Sequence, residues 1–440
     1  MPLISSRRYY SSMNIFASVL LFISALAAAV LANSPLAEYY HSFLNMEVCL
    51  QIGNFNLLSH GGHNMTMLQF INDGLMTVFF LIVGLEIKRE LLVGELSSFR
   101  KASLPFIAAC GGMILPVLIY ATICPPGTSG DHGLAIPMAT DIAFSLGVLS
   151  LLGTRVPVSL KVFLTAFAVV DDIGGILIIA IFYSSHVHLI YFLWAALIYA
   201  FLYFIGKRRT VNKVVFLIGG IAAWYLFMQS GVHSTISGVL LAFVIPARPR
   251  LNAGKYVERI RRLINSFPTM CEEGKDNIVL TNQQISKLKR VESASDRVIS
   301  TLQAMEDSLH NSVNYLILPL FAFANAGVVF GGGSGDLIGN VSLGIMLGLI
   351  IGKFVGIFGF TWLAIKTKLA PMGEGMNWKN IAGVSLLGGI GFTVSLFIGN
   401  LSFGEEPILL NQAKLGVIAG SVVSGILGYI VLSRVLSKKR

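Results

Sequence analysis

Apolar residues run along this chain in long blocks separated by short polar or charged stretches. A helix needs about 20 mostly apolar residues to cross a hydrocarbon core ~30 Å thick. Blocks of that order lie at 14–32, 66–87, 102–123, 134–153, 157–183, 188–205, 213–228, 231–246, 312–330, 340–364, 379–400 and 411–433. The pattern predicts an all-α polytopic membrane protein with twelve transmembrane helices, the blocks at 213–228 and 231–246 being the shortest. The chain is then partitioned as 1–13, a transmembrane part 14–246, a loop 247–311, a second transmembrane part 312–433, and 434–440.

The two longest polar segments carry their own signals. Within 34–65, "MEVCLQIGNFNLLS" places two alternating runs around Gly53-Asn54, which reads as a small external β-hairpin at about 46–58 or as a polar loop. Its unpaired edges suit pairing between protomers. Within 247–311, "QQISKLKRVESASDRVISTLQAMEDSLH" repeats Ile285, Leu288, Val291, Val298, Leu302 and Met305 at roughly helical spacing. One long amphipathic helix is expected there, as a connector or as a regulatory element.

Charge orients the predicted helices. With the N-terminus cytoplasmic, 30 of the 32 Lys and Arg fall in or beside cytoplasmic segments, the exceptions being Lys353 and Lys414. Leaving out the 247–311 loop with its eleven basic residues, the split is 19 of 21. Such asymmetry is the positive-inside signature of membrane proteins. It places both termini in the cytoplasm and explains the net charge of +10 without nucleic acid.

Composition agrees. The chain of 440 residues is 55% hydrophobic and 12% charged, with mean hydropathy +0.75, against about 25% charged residues in soluble domains. The first block is long and lacks a clear cleavage site, so no cleavable signal peptide is expected. Cys49, Cys110, Cys124 and Cys271 show no metal spacing. Cys49 and Cys124 both lie toward the outer side, as free thiols or as a pair.

Few acids lie well inside the predicted spans: Asp73, Asp141, and the adjacent Asp171 and Asp172 in "AVVDDIGGILIIA". Lys353 joins them. A charged Asp at a membrane helix centre costs about 2.5–3.5 kcal/mol on insertion scales, and such residues face the bundle interior, pair, and mark ion pathways. Interhelical salt bridges are the structural alternative. Successive helical residues point about 100° apart, so Asp171 and Asp172 are expected to have separate partners.

Two spans contain breaks. Pro137 in "GLAIPMATDIAFSLGVL" removes a backbone donor and pushes Ile136 toward an extended conformation. Thr140 and Asp141 follow, either able to cap a new half-helix. In "SLLGGIGFTVSLF", Gly388, Gly389 and Gly391 crowd the middle of a span. Non-helical backbone at that depth survives only when buried in protein or lining a wet cavity. The breaks fall in the middle members of the triplets 102–183 and 340–433, which run in opposite directions. Two discontinuous helices crossing at the midplane of inverted-topology repeats point to a transporter's binding site. Carboxylates are hard oxygen ligands for a hard cation and also bind protons. Asp141 would stabilise half-helix N-termini and Lys353 the C-termini.

The stretches "INDGLMTVFFLIVGLEIKREL", "IPMATDIAFSLGVLSLLG", "AVVDDIGGILIIA", "GVHSTISGVLLAF", "YLILPLFAFANAGV" and "IGKFVGIFGF" resemble the NhaA family of bacterial sodium/proton antiporters, itself a known inverted-repeat case. The resemblance implies that Asp172 is the principal sodium-binding carboxylate, with Asp171 beside it and paired to Lys353. It implies that Thr140 and Asp141 sit where the broken helices cross. It further implies a pH response involving His233, Glu86, Arg89, Glu90 and Glu306. The implied activity is exchange of internal Na+ or Li+ for more than one external proton, by an inner-membrane homodimer formed through the hairpin. No cofactor and no enzymatic activity are implied. The segment 247–311 is longer than the connection expected in that family.

Two other functions use similar residues. A cation channel would use buried carboxylates without needing two inverted broken helices. An intramembrane aspartyl protease pairs membrane aspartates, but the Gly-x-Gly-Asp match at 333–336 falls between two predicted spans and not within one, and a His-Glu-x-x-His zinc motif is absent.

Overall fold

The computed structural model describes residues 3–52, 55–60, 63–183, 188–208, 213–249, 253–266, 281–330 and 338–436. Most of them are helical. Eight helices are long and apolar enough to cross a membrane, or ten if each of two sharply bent pairs is one span. The bent pairs are Phe16–Ala32 with Ala37–Asn45, at 113°, and Trp378–Leu387 with Phe392–Phe403, at 42°. Two expected spans are not among these helices, each for a visible reason. The block 231–246 contains the regular helix Ile236–Val244, nine residues, which rises only about 14 Å. The block 312–330 belongs to a continuous helical run, Thr301–Ser312 through the π-turn Val313–Ile317 to Leu318–Asn325, whose first part is polar, so its apolar part is too short.

A small sheet region follows the first bent pair. Strands β1 (Glu47–Val48), β2 (Gln51–Ile52), β3 (Phe55–Asn56), β4 (Ser59–His60) and β5 (His63–Thr66) form two pieces. β2 and β3 make a two-stranded antiparallel hairpin in the register Gln51↔Asn56 and Ile52↔Phe55. The Gly53-Asn54 turn expected between them lies outside the described residues. β1 pairs with β5 instead of continuing that hairpin, so the sheet reaches beyond 58. Leu58 and Met65 pack on Trp224 and Met228, which seats it on the helices.

The expected single helix ending the 247–311 loop is two helices, Asn282–Val298 and Thr301–Ser312. Ser300 decides this. Its backbone is extended, its hydroxyl accepts from the Gln303 amide, and the Gln303 side chain closes a capping box. A hydroxyl that satisfies free N–H groups starts a new helix even inside a helical hydrophobic pattern.

The tightest helix contact joins Phe99–Ile123 to the helical run Asn340–Lys366. Gly352 and Gly356 face Pro116 and Gly111, and a methyl on Gly352 would fall 2.7 Å from the Pro116 Cα. Small residues at fourfold spacing allow such approach between membrane helices. The π-turn Gly348–Gly352 directly precedes Lys353.

Candidate functional site

Asp171 and Asp172 lie mid-helix in Val158–Phe182, both buried. Two departures from regular helix lie beside them. The 3-10 helix Asp131–Met138 runs through Ile136 and Pro137, so the extended backbone expected at Ile136 comes instead at Ala139, and helix resumes at Ile142. The helix Trp378–Leu387 stops, and Phe392 restarts it after the glycine-rich turn.

Each interruption satisfies the other's backbone. The Thr140 hydroxyl donates to the Gly388 carbonyl at 2.8 Å, and the Asp141 amide to the Ile390 carbonyl at 2.6 Å. The Ser145 hydroxyl reaches the Leu387 carbonyl, and the Ser395 hydroxyl reaches the Ile136 carbonyl, at 2.9 and 2.8 Å. Ser421 accepts from the Gly391 and Phe392 amides. Buried backbone groups freed by a break need such partners.

Asp141 binds both restarted helices. Its Oδ1 accepts from the Phe144 amide at 2.9 Å, capping Ile142–Leu151. Its Oδ2 accepts from the Thr393 amide and hydroxyl at 3.1 and 2.6 Å. One carboxylate thus faces two helix N-termini, where partial positive charge favours it. Thr140, considered from sequence as an alternative cap, turns instead to Gly388.

Lys353 is fully buried at 0% exposure. Its ammonium forms an ion pair with Asp171 Oδ2 and donates to the Thr140 hydroxyl at 3.0 Å. It therefore meets the C-terminus of Trp378–Leu387 only through Thr140. The other Asp171 oxygen, Oδ1, is buried with no hydrogen-bond partner. Asp172 has no ion-pair or hydrogen-bond partner among the described residues. It opens instead on a cavity of about 120 Å³ that Asp141, Glu86, His310 and Asn314 also line.

The remaining candidates form two further groups. Arg89 is ion-paired with Glu306 and lies 3.6 Å from the Glu90 carboxylate. Burial pushes the Glu306 carboxyl above the usual carboxylate range, and the Arg89 guanidinium pulls it the other way. Glu86 faces the cavity between this cluster and Asp172. His233 Nε2 lies 3.7 Å from Asp73, its Nδ1 meets the Thr235 hydroxyl at 2.8 Å, and its ring stands edge-on to Phe397. Asp73 sits in the π-turn Phe70–Leu75, its carbonyl accepting from the Trp224 indole. Among the described residues no hydrogen bond or ion pair joins this group to Asp171 or Asp172.

Sequence reasoning missed Thr393, Ser145, Ser395 and Ser421. Their only signal was a hydroxyl in an apolar run near a break. It also missed His310 and Asn314, which line the cavity next to Asp172. Cys49, Cys110 and Cys124 are free thiols, and Cys271 lies outside the described residues. Among the described residues no group of three or more His, Cys, Asp or Glu forms a metal cluster.

Long apolar helices around a buried acid–base group define a multi-pass helical membrane protein with an intramembrane ionisable site. The family described as Na+/H+ antiporter 1 matches residues 8–432, and the chain belongs to that family of transporters. Similar proteins include the Na+/H+ antiporter NhaA of Bacteroides fragilis, 70% identical over the whole of both chains. That of Bacteroides thetaiotaomicron is 69% identical, also over full length. That of Phocaeicola vulgatus is 58% identical over 96% of this chain and 94% of its own.

Proposed function

We propose that this protein exchanges cytoplasmic Na+ or Li+ for external protons by alternating access, electrogenically, across a bacterial inner membrane. Twelve spans with both termini inside, an external hairpin and the cytoplasmic loop 247–311 make up the proposed layout. The triplets 102–183 and 340–433 are its inverted repeats, and their middle members are the two discontinuous helices.

The observation that carries the proposal is the asymmetry of the carboxylate pair. Asp171 is engaged by Lys353 on one oxygen and has an orphan buried oxygen on the other. Asp172 has no hydrogen-bond or ion-pair partner among the described residues and meets a cavity. A buried acceptor without a donor is costly, and a cation or a proton relieves it. Asp172 is therefore the principal ligand for cargo and Asp171 its neighbour, while Thr140, Asp141 and Lys353 shape and balance the site. Sodium is cargo here, not a resident cofactor.

Asp172, helped by Asp171, would hold either sodium or protons in turn, and more than one proton per sodium ion makes the exchange electrogenic. Two empty ionised carboxylates near the midplane are expensive to keep, so each crossing carries a cation or protons and exchange stays coupled. Glu86, which lines the cavity, and the cluster of Arg89, Glu90 and Glu306 are proposed to set the pH response. His233 is proposed as a second contributor, since an imidazole titrates nearest neutrality. Homodimers form through the hairpin at 46–58, whose strand edges are the available pairing surface.

The test is collapse of a pH gradient in everted vesicles on adding Na+, Li+ or K+, across pH. Na+ and Li+ should dissipate the gradient, and electrical recording should show carrier-like turnover. Channel-like flux, or no response to either ion, overturns the proposal.

A further inference from the structure

Asn325 is completely buried, at 0% exposure, and its carboxamide is saturated. Its Nδ2 donates to Asn72 Oδ1 at 2.8 Å and to the Phe321 carbonyl at 3.0 Å. Its Oδ1 accepts from Asn400 Nδ2 at 2.8 Å and from Asn72 Nδ2 at 3.3 Å. A carboxamide offers two donor hydrogens and two acceptor lone pairs, so all four are used. Asn400 also donates to the Leu396 carbonyl at 2.9 Å.

The three amides come from three separate elements. Asn400 is on Phe392–Phe403, the half-helix whose start Asp141 holds through Thr393. Asn72 is on Met67–Val93, and Asn325 ends Leu318–Asn325. The cavity beside Asp172 is lined by residues of 17–21, 79–86, 141–146 and 310–318, and by none of Phe392–Phe403. The triad lies on the far side of the carboxylates. At 1.5 Å per residue, Asn72 is about 21 Å from Glu86 along its helix, and Asn400 about 10 Å beyond Thr393. Away from the cavity, Phe392–Phe403 therefore meets the elements of Asn72 and Asn325 through the Asn400–Asn325 bond and through Phe397 against Phe80 and Phe321.

We propose that Asn325 and Asn400 are positioning residues for transport. Their amide bond holds the side opposite the cavity closed and breaks when the carboxylates turn to face that side. The inference rests on the alternating-access reading. A bond present in one state and lost in the other biases the equilibrium between them. Losing it should shift that equilibrium about fivefold, the equivalent of one hydrogen bond of about 1 kcal/mol. The apparent affinity at each face scales with the population of the state open there.

The experiment measures the sodium KM of Asn400→Ala in everted vesicles, which present Na+ to the cytoplasmic face, and in right-side-out vesicles. The KM at the external face should fall, by up to about fivefold, and the KM at the cytoplasmic face should rise by less. The isosteric Asn400→Asp, which removes the same donor without opening a void, should shift both in the same opposite directions. Asn400→Gln, which keeps a carboxamide, should lie nearer the parent. A merely structural role lowers the amount of active protein and leaves both KM values in place. Unchanged values, or values moving together, in variants that still exchange sodium overturn the bond's role. Absence of exchange in the parent protein overturns the transport reading instead.

Discussion

The Thr393 hydroxyl donates to Asp141 Oδ2 at 2.6 Å, so one interrupted segment supplies the acid and the other the donor. A hydrogen bond to a charged group contributes about 1.5–3 kcal/mol. Thr393→Val keeps the shape and removes the donor. A lower melting temperature in detergent is expected, with Thr393→Ser close to the parent. Equal melting of Thr393→Val and the parent would show that the hydroxyl does not hold the two segments together.

Asp172→Asn keeps size and removes the charge a sodium ion needs. Exchange should be lost while the protein still inserts. In the parent protein, protons and sodium compete, so the sodium KM should rise as pH drops through the pair's apparent pKa values, which belong to the pair jointly. The rate at saturating sodium should change much less. Proteoliposomes at several pH values give both numbers. A flat KM with a falling maximal rate rejects competition and assigns the pH effect to remote groups such as His233 or Glu306.

Lys353→Ala leaves the Asp171 carboxylate buried without its ion pair and frees the Thr140 hydroxyl from its donor. Breaking a buried pair from one side costs about 3–5 kcal/mol. A clear drop in melting temperature is expected, with an altered pH dependence of exchange. An unchanged melting temperature counts against the pairing.

Glu306 has its carboxyl raised by burial, so it keeps its proton in the folded protein to higher pH than in the unfolded chain. Stability from such a group is present below the unfolded pKa and is lost as pH rises through the folded one. Glu306→Gln removes that titration. Its melting temperature should decline less than the parent's as pH rises above the ordinary carboxylate range, and its pH–rate profile should lose the matching step. Parallel melting curves across that range would falsify Glu306 as a titrating member of the Arg89 cluster.

Much of this protein was legible from the chain alone, because a bilayer imposes simple requirements on sequence. Apolar runs must be long, and charges inside them must be rare, so Asp171, Asp172, Asp141 and Lys353 stood out at once. The glycines at 388, 389 and 391 marked one interruption, while Pro137 pointed near the other but not at it: Ile136 stays in the 3-10 helix and the extended backbone begins at Ala139. The helical pattern across 283–310 misled, because Ser300 caps a new helix through one hydroxyl that hydrophobic spacing does not register. Pairing needed the tertiary structure. Nothing local says that Lys353 meets Asp171 and leaves Asp172 to the cavity, or that Asp141 spans to Thr393, 252 positions away. Neither does it say that Asn325 gathers Asn72 and Asn400. Hydrophobic spacing records which residues leave water, whereas hydrogen-bond partners depend on which helices the packing brings within 3 Å of one another.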